Sequence, residues 1–281
     1  MKTLYVSDLD GTLLDRKARL SETSAKTIGD LIKNGMNFTI ATARSQSGVK
    51  YLEQLGVVSP SVHLNGVLIY DNSIKKYVDC TPLDTATALE IIRILKDFDR
   101  MSFVYKFDSD CGINVEFEKL SNEVEREFFE VRKNSDYKSF RQTERITASD
   151  DDKVIYFTMV DEYSRLLPIW EELNKLSGAK ATLYSDNYSD LYFLEVFSSS
   201  ATKASGVMKL KKLLNADRVV AFGDNLNDIE MLKAADIGIA VGDGVEELKN
   251  CADIIIGRSF EDGVAEYLKA AFDSKLQTPN P

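Results

Sequence analysis

The chain has 281 residues, of which 44% are hydrophobic and 28% charged, and its formal net charge is -10. This is the composition of a globular protein with enough residues for one large domain or two of moderate size. The acidic balance argues against a general binder of nucleic acid or anionic membranes, because such proteins meet phosphates with basic surfaces. A small anionic substrate is still compatible, since a few basic groups and a metal ion can form a local positive pocket.

Sulfur and imidazole side chains are few. Cys80, Cys111 and Cys251 are far apart and lack metal-type spacing, which favours a reducing, cytoplasmic location. His63 is the single histidine, so a histidine-rich zinc site is excluded and a structural role for His63 is favoured. We expect neither a secretory leader nor a membrane span, because the apolar run before Asp8 is short and no other run is long enough.

The first part of the chain alternates between apolar runs and helical patterns. Strands are predicted at 4–6, 36–41 and 61–64, and helices at 21–34 and 45–55. This alternation indicates a parallel sheet with helical crossovers, in which ligands bind at the carboxyl ends of the strands. Asp8, Thr42 and Asn65 stand at those ends, and a hairpin with a polar turn is predicted over 67–78.

The middle of the chain follows a different pattern, in which a helix precedes a pair of neighbouring strands. Helices are predicted at 85–98, 121–133 and 163–176, and strands at 102–107, 113–117, 153–160, 181–185 and 191–197, with a turn at 186–189. This pattern favours an α+β unit on an antiparallel sheet. We therefore predict a core formed by 1–82 and 197–281, interrupted by an inserted domain over 83–196.

The last part of the chain returns to strands that alternate with helices. Helices are predicted at 204–214, 229–234, 245–250 and 263–272, and strands at 218–222, 237–241 and 253–256. Lys203 lies in the polar loop before the first of these helices, and Asp224 and Asp228 follow the first strand. The predicted fold class is α/β, with a fraying tail over 273–281.

The polar residues at the strand ends suit a metal and phosphate site. Asp8 and Asp10 would project to one side of an extended chain, which requires a bound cation, a protonated carboxyl or a solvated turn. An oxygen-rich set suits Mg²⁺, a hard ion that a substrate phosphate often completes, and Lys203 and Thr42 could bind that phosphate. With no histidine pair, serine triad or catalytic cysteine in view, a carboxylate remains as the nucleophile, and aspartate can form an aspartyl-phosphate.

Some of these residues also have plain structural interpretations. Asp228 could cap the helix that begins at Ile229, and Asn65-Gly66 is typical of a tight turn. Arg44 either faces a substrate or pairs with surface acids. Asn65 is kept as a candidate substrate contact, because it ends a core strand.

Four motifs resemble those of the haloacid dehalogenase superfamily. They are Asp8-Leu9-Asp10-Gly11-Thr12-Leu13-Leu14, Ala41-Thr42-Ala43-Arg44, Lys203, and Gly223-Asp224-Asn225-Leu226-Asn227-Asp228. Their order and the large insertion before Lys203 are most similar to the Cof-like phosphatase branch. The resemblance implies a Rossmann-like parallel-sheet core, an α+β cap that sets substrate specificity, and hydrolysis of a small phosphate monoester, with sugar phosphates as the expected class.

The resemblance also implies catalytic and metal-binding roles. Asp8 would attack phosphorus, and Asp10 would protonate the leaving oxygen and later activate water. Mg²⁺ would be held by Asp8, by the backbone carbonyl of Asp10 and by Asp224. Asp228 would lie nearby or act through water.

Phosphate contacts complete the implied site. Thr42 and Lys203 would bind the phosphoryl oxygens, and Asn227 would join them or orient Asp228. Two other activities use similar residues. A phosphosugar mutase would return the phosphoryl group to a sugar, and a signalling or binding protein would accept phosphate without turnover.

Overall fold

The computed structural model describes residues 2–100, 103–108, 112–120, 122–185 and 190–277, without the side chains of 50–52, 54 and 274–277. The chain up to Val78 and the chain from Thr202 form one compact unit, and Asp79–Ala201 forms a second. The predicted turn at 186–189, and the predicted element ends at 102 and 121, lie outside the described residues.

Strands and helices alternate at both ends of the described chain. The strands are β1 (Thr3–Ser7), β2 (Asn37–Ile40), β3 (Ser61–His63), β4 (Leu68–Asp71), β5 (Lys76–Cys80), β6 (Phe103–Asp108), β7 (Gly112–Phe117), β8 (Lys138–Gln142), β9 (Lys153–Asp161), β10 (Ala179–Ser185), β11 (Tyr192–Ser198), β12 (Arg218–Gly223), β13 (Ile237–Val241) and β14 (Ile254–Ile256). The α-helices are α1 (Glu22–Lys33), α2 (Thr85–Asp97), α3 (Glu123–Arg132), α4 (Tyr163–Leu173), α5 (Lys203–Leu213), α6 (Ile229–Ala234), α7 (Glu246–Lys249) and α8 (Gly263–Gln277). Among these described helices, none has the length and hydropathy that a membrane span requires.

A parallel five-stranded sheet forms the centre of the first unit, in the order β14-β13-β12-β1-β2. A smaller antiparallel sheet, β3-β4-β5, is joined to β2 by a parallel bridge between Ala41 and Val62. Strand β3, which was predicted as a third parallel strand, thus belongs to the smaller sheet and joins the large sheet only through this bridge. Since β12, β1 and β2 run in parallel, their carboxyl ends lie at one edge of the sheet.

Side chains of the parallel sheet alternate between two faces, and helices cover both. One face packs against α1 and α8, and the other against α5, α6 and α7. The first core includes Tyr5, Ile28, Phe38, Phe222 and Leu268. The second core includes Leu4, Val6, Leu210, Ala221 and Met231. This two-sided burial explains why the central strands read as continuous apolar runs.

The second unit is built on a six-stranded sheet in the order β10-β11-β9-β6-β7-β8. Its strand pairs are antiparallel except for β7 and β8, which run in parallel. Helices α2 and α4 bury one face of the sheet, where Ile91 and Leu166 pack in the same core as Phe157. The predicted α/β fold class, with a parallel-sheet core and a separate α+β sheet domain, is confirmed.

The structure departs from the predicted elements at three places. The helix predicted at 45–55 is a 3₁₀ helix, Gln46–Leu55, in a sequence that contains Gly48. Strand β8 was not predicted, because Phe140 is its single large apolar residue. Helix α8 runs to Gln277 instead of fraying from 273, since neither glycine nor proline interrupts it before Pro279, and the rest of the predicted tail, 278–281, lies outside the described residues.

Candidate active site

The carboxyl ends of β1 and β12 bring the predicted carboxylates together. The two strands are parallel neighbours, and the N–H of Asp8 donates to the carbonyl of Phe222 at 3.0 Å. Asp224 directly follows β12, and Asp228 directly precedes α6. Asp8, Asp224 and Asp228 each place a carboxylate oxygen within 4.8 Å of the other two. These three side chains therefore form one acidic cluster.

Lys203 contacts two members of the cluster. Its Nζ is 2.6 Å from Asp8 Oδ1 and 2.7 Å from Asp228 Oδ1, and its side chain is 1% exposed. It is the first residue of α5, where Thr202 and Ser205 form a reciprocal capping box. Burial alone would lower the pKa of Lys203, but the charges of Asp8 and Asp228 outweigh burial and raise it. The side chain is therefore an ammonium ion at neutral pH.

Three carboxylates against one ammonium ion leave the cluster short of positive charge. Burial raises the pKa of Asp8 well above its usual value; Lys203 opposes this, while Asp228 and Asp224 add to it. The pKa of Asp224 is also raised, chiefly by burial, although a hydrogen bond from Thr12 opposes the shift. A divalent cation at this point would relieve the repulsion among the carboxylates.

The donor set fits Mg²⁺, which prefers hard oxygen ligands and seldom needs more than one or two carboxylates. Both oxygens of Asp228 already accept from the protein, since Oδ1 faces Lys203 and Oδ2 accepts the N–H groups of Asp224 and Asn225 at 3.1 Å each. Asp8 and Asp224 are therefore better placed than Asp228 for direct coordination. The ligand role of the Asp10 backbone carbonyl stays a prediction.

Asp228 does not have the helix-capping role that its position suggested. It stands at the N-cap of α6, but its side chain makes no capping hydrogen bond to that helix. The carboxylate turns back toward the end of β12 instead, where it holds the loop at Asp224 and Asn225 and also binds Lys203. The residue thus fixes the relative positions of the carboxylates and the lysine.

Gly11 and Thr12 position the carboxylate of Asp224, a role that the sequence alone did not reveal. The hydroxyl of Thr12 donates to Asp224 Oδ1 at 2.9 Å. Gly11 has a φ of +82°, and a Cβ at this position would lie 2.3 Å from Asp224 Oδ2. A residue with a side chain would therefore be strained and would also displace Asp224. In the sequence, the only indication of this role is the Gly-Thr pair directly after Asp10.

Asp10 points to a different partner from Asp8. Arg44 donates from Nε to Asp10 Oδ2 at 2.8 Å and from Nη2 to Asp10 Oδ1 at 2.5 Å. The Asp10 side chain is 47% exposed, and Arg44 also donates from Nη1 to the carbonyl of Gly48 at 3.2 Å. Two roles were left open for Arg44, a contact with substrate or a pairing with an acid. The structure shows the pairing, and its partner, Asp10, is the predicted proton carrier.

Thr42 and His63 hold the backbone of the Arg44 loop. Thr42 is fully buried, and its Oγ1 accepts the N–H of Arg44 at 3.1 Å. His63 Nδ1 is 3.2 Å from the carbonyl of Arg44, and its Nε2 is 2.8 Å from the hydroxyl of Ser61. Burial lowers the pKa of His63 to about 4, so the ring is neutral at pH 7. Because a carbonyl only accepts, we assign the hydrogen to Nδ1 and the acceptor role to Nε2.

Asn65 and Gly66 form a turn that contacts the start of α5. Asn65 has a φ of 54°, and its Oδ1 accepts from Nδ2 of Asn227 at 3.4 Å. Gly66 has a φ of +100°, and a Cβ there would lie 2.0 Å from the carbonyl oxygen of Thr202. The turn interpretation of this pair is correct. Its glycine permits a backbone contact directly before Lys203, which the sequence reasoning did not identify.

The first unit contains every residue of the predicted site. Lys203, Asp8 and Asp228 are buried together beside the half-buried Asp224, while Asp10 with Arg44 and Asn227 with Asn65 form two more exposed pairs. The predicted contacts of Thr42, Asn227, Arg44 and Asn65 with phosphate or substrate stay predictions.

Comparison with known proteins identifies the family. The chain matches the model of haloacid dehalogenase-like hydrolases over residues 5–268. It belongs to this family. A crystal structure of a haloacid dehalogenase-like hydrolase from Bacteroides thetaiotaomicron superposes with a TM-score of 0.70 at 25% identity, covering 97% of this chain and 100% of that chain.

Two relatives of the hydrolase are named phosphatases. The 5-amino-6-(5-phospho-D-ribitylamino)uracil phosphatase of Bacillus subtilis is 26% identical over 238 residues, which are 83% of this chain and 83% of the relative. The pyridoxal phosphate phosphatase of Escherichia coli is 26% identical over 239 residues, which are 81% of this chain and 83% of the relative. The predicted superfamily and the prediction of an enzyme of the phosphoric monoester hydrolase class are confirmed.

Proposed function

We propose that this hydrolase is a Mg²⁺-dependent phosphatase that cleaves a small phosphate monoester through a phosphorylated Asp8. The observation that carries the proposal is the buried contact of Lys203 with Asp8 and Asp228, beside Asp224. A cluster with this excess of negative charge is costly unless a cation joins it. A divalent ion together with the phosphoryl group it helps to bind would complete the charge balance.

The first step transfers the phosphoryl group to the protein. A carboxylate oxygen of Asp8 attacks phosphorus, and the bond between phosphorus and the ester oxygen breaks as Asp10 gives its proton to that oxygen. Lys203 supports the step, because its ammonium group stays beside Asp8 and faces the charge that spreads over the phosphoryl oxygens. The Thr42 hydroxyl is the proposed neutral donor to the same oxygens.

The second step releases phosphate by hydrolysis. Asp10, now a carboxylate, takes a proton from water as the water oxygen attacks phosphorus. The bond between phosphorus and the Asp8 oxygen breaks, which regenerates the Asp8 carboxylate and frees inorganic phosphate. We assign Asn227, whose amide reaches Asn65, to the same phosphate-binding edge.

The acidic cluster is the proposed metal site. Asp8 and Asp224 would hold Mg²⁺ directly, with Asp228 supporting them through its hydrogen bonds and the carbonyl of Asp10 as a further ligand. When bound, the ion supplies positive charge that offsets the phosphoryl oxygens and the carboxylates.

We propose a phosphorylated metabolite as substrate, with sugar phosphates first among the classes to test. The two named relatives act, by their names, on small phosphorylated compounds, one of which carries a phosphoribityl group. The inserted α+β domain is the proposed determinant of the leaving group. We also propose a reducing, cytoplasmic location, because the three cysteines of the sequence are far apart and lack metal-type spacing.

A screen of phosphorylated metabolites with Mg²⁺, which records inorganic phosphate and substrate loss together, tests the proposal. Phosphate release that equals substrate loss is the expected result. Substrate loss with formation of an isomeric sugar phosphate would indicate a mutase. A stable phosphorylated Asp8 without phosphate release would indicate a phosphate-accepting protein, and either result would contradict the phosphatase proposal.

A further inference from the structure

Arg44 binds both carboxylate oxygens of Asp10. Its Nε and Nη2 donate to Oδ2 and Oδ1, at 2.8 and 2.5 Å, in the planar two-bond geometry that a guanidinium shares with a carboxylate. Two simultaneous bonds remove the freedom of the carboxylate to rotate about its last bond. An exposed aspartate without such a partner would sample several orientations.

The backbone of Arg44 is anchored on both sides. Its N–H donates to Thr42 Oγ1 at 3.1 Å, and its carbonyl accepts from the N–H of Leu64 at 3.2 Å and from His63 Nδ1 at 3.2 Å. His63 is fully buried. The guanidinium therefore projects from a fixed loop, and the pair ties Asp10, after β1, to the loop after β2.

At least three of the five N–H groups of Arg44 are engaged within the protein. Nε and Nη2 are used by Asp10, and Nη1 donates to the carbonyl of Gly48 at 3.2 Å. The Asp10 carboxylate, in contrast, offers about four acceptor positions, of which the two bonds from Arg44 use two. Asp10 can thus exchange a proton with a substrate oxygen or with water while Arg44 holds it.

We propose that Arg44 is a positioning residue that orients Asp10 for proton transfer, an inference that rests on the proposed phosphatase function. Arg44 takes no part in the bonds that form or break. It keeps the oxygen of Asp10 that carries the proton at a constant place relative to Thr42. The misplacement of a catalytic group by about 1 Å can reduce a rate by about 10²-fold, so loss of the guanidinium should be evident in kcat.

The test compares Arg44→Lys, Arg44→Ala, Asp10→Asn and the double variant Asp10→Asn/Arg44→Ala. A lysine keeps the charge but cannot make the two parallel bonds. With an alkyl phosphate substrate, we expect kcat to fall about 10-fold or more in Arg44→Lys and further, toward about 10²-fold, in Arg44→Ala, with little change in KM. Arg44→Ala should cost less than about twofold in the Asp10→Asn background, because the residue acts through Asp10.

A second readout uses the leaving group. Nitrophenolate leaves phosphorus without needing a proton. With p-nitrophenyl phosphate, the first step therefore does not need Asp10 as an acid, whereas the second step still needs Asp10 as a base. Arg44→Ala and Asp10→Asn should therefore both show a burst of nitrophenolate followed by slow turnover. A variant that is merely less stable would lose burst and turnover in the same proportion.

Arg19→Lys is the matched control, because Arg19 also donates from Nε and Nη2 to an aspartate, Asp15, outside the proposed site. Its kcat should equal that of the wild-type protein. Unchanged kcat in Arg44→Ala, or an equal loss from this substitution with and without Asp10, would overturn the positioning role alone. A wild-type protein that hydrolyses no phosphate monoester would instead overturn the proposed function, and the positioning role with it.

The pair can also be observed without turnover. In ¹⁵N spectra, the Nε–H of Arg44 should be slow to exchange in the wild-type protein and fast to exchange in Asp10→Asn. The same exchange rate in both proteins would contradict the pairing on which the inference depends.

Discussion

The two units treat buried charge in opposite ways. In the second unit, two buried carboxylates have two cationic partners each: Glu116 contacts both Lys106 and Arg141, and Asp161 contacts both Arg100 and Arg165. In the first unit, one lysine serves two buried carboxylates and a third lies within reach of both. The acidic cluster of the first unit is thus short of positive charge, which supports the proposed metal site.

Removal of the nucleophile is the largest expected effect. Asp8→Asn should lower the phosphatase rate by at least about 10⁴-fold, the scale on which loss of a catalytic nucleophile acts. The variant should stay folded, because Lys203 keeps its contact with Asp228. Phosphate release and circular dichroism measure the two properties. A folded variant with a near-normal rate would show that another group attacks phosphorus.

Removal of the lysine should expose the charge deficit. Lys203→Met leaves three neighbouring carboxylates without their ammonium ion, and the loss of one partner from a buried ion pair typically costs about 3–5 kcal/mol. Urea unfolding of the metal-free protein would measure the change. Asp228→Asn in the same chain should restore part of the stability. A loss below about 1 kcal/mol would mean that the cluster tolerates its charge without Lys203.

Acid should weaken the first unit through His63. Its pKa is lowered by burial from 6.5 to about 4, so between these values the unfolded chain binds a proton that the folded chain does not. Stability from this group is complete above pH 6.5 and is lost as the pH falls toward 4. From pH 7 to pH 5 the loss should be about 2 kcal/mol.

The measurement for His63 is a difference between two proteins. Asp8 and Asp224, whose pKa values are raised, titrate with the opposite effect on stability, so the wild-type curve alone mixes the contributions. Urea unfolding of wild-type protein and His63→Gln at pH 7 and pH 5 isolates the histidine. Equal pH dependence in the two proteins would contradict the burial effect.

Two neutralised aspartates should change stability in opposite directions. Burial raises the pKa of Asp224, so its ionisation opposes folding at neutral pH, and Asp224→Asn should raise the metal-free melting temperature by a few degrees. Burial would also raise the pKa of Asp152 in the second unit, but hydrogen bonds from Lys106 and Ser149 outweigh it and lower the pKa. Asp152→Asn should therefore lower the melting temperature.

Calorimetry with and without Mg²⁺ gives a second comparison between Asp224 in the first unit and Asp152 in the second. The ion should raise the melting temperature of the wild-type protein and of Asp152→Asn, but scarcely that of Asp224→Asn, because a ligand stabilises only the state that binds it. An equal Mg²⁺ effect in Asp224→Asn would remove Asp224 from the metal site.

The sequence predicted the site best where polar or charged residues stand at the carboxyl ends of predicted strands. Asp8 and Asp224 were predicted to lie close together because the ends of parallel strands share one edge, and the structure brings their carboxylate oxygens within 4.8 Å. Lys203, predicted from the loop before α5, contacts Asp8. Apolar periodicity also located the central strands. Both signals are local, or follow from the geometry of a single sheet.

Contacts between loops could not be predicted in the same way. The pairing of Arg44 with Asp10 depends on side-chain directions across 34 positions of the chain, and periodicity carries no information about them. The same holds for Gly66, whose neighbour Thr202 is remote in sequence. Strand β8 was missed because its pairing with β7 comes from the backbone rather than from an apolar pattern.

The position of β1 has a consequence for the synthesis of the protein. This strand, which carries Asp8 at its end, precedes the second unit along the chain but lies between β2 and β12, and β12 begins only at Arg218. The second unit, in contrast, is one continuous stretch, Asp79–Ala201. During translation it can fold while the amino-terminal strands still wait for their partners. The segment that contains the proposed nucleophile is thus made before the second unit, but it reaches its final surroundings only after β12 has been made.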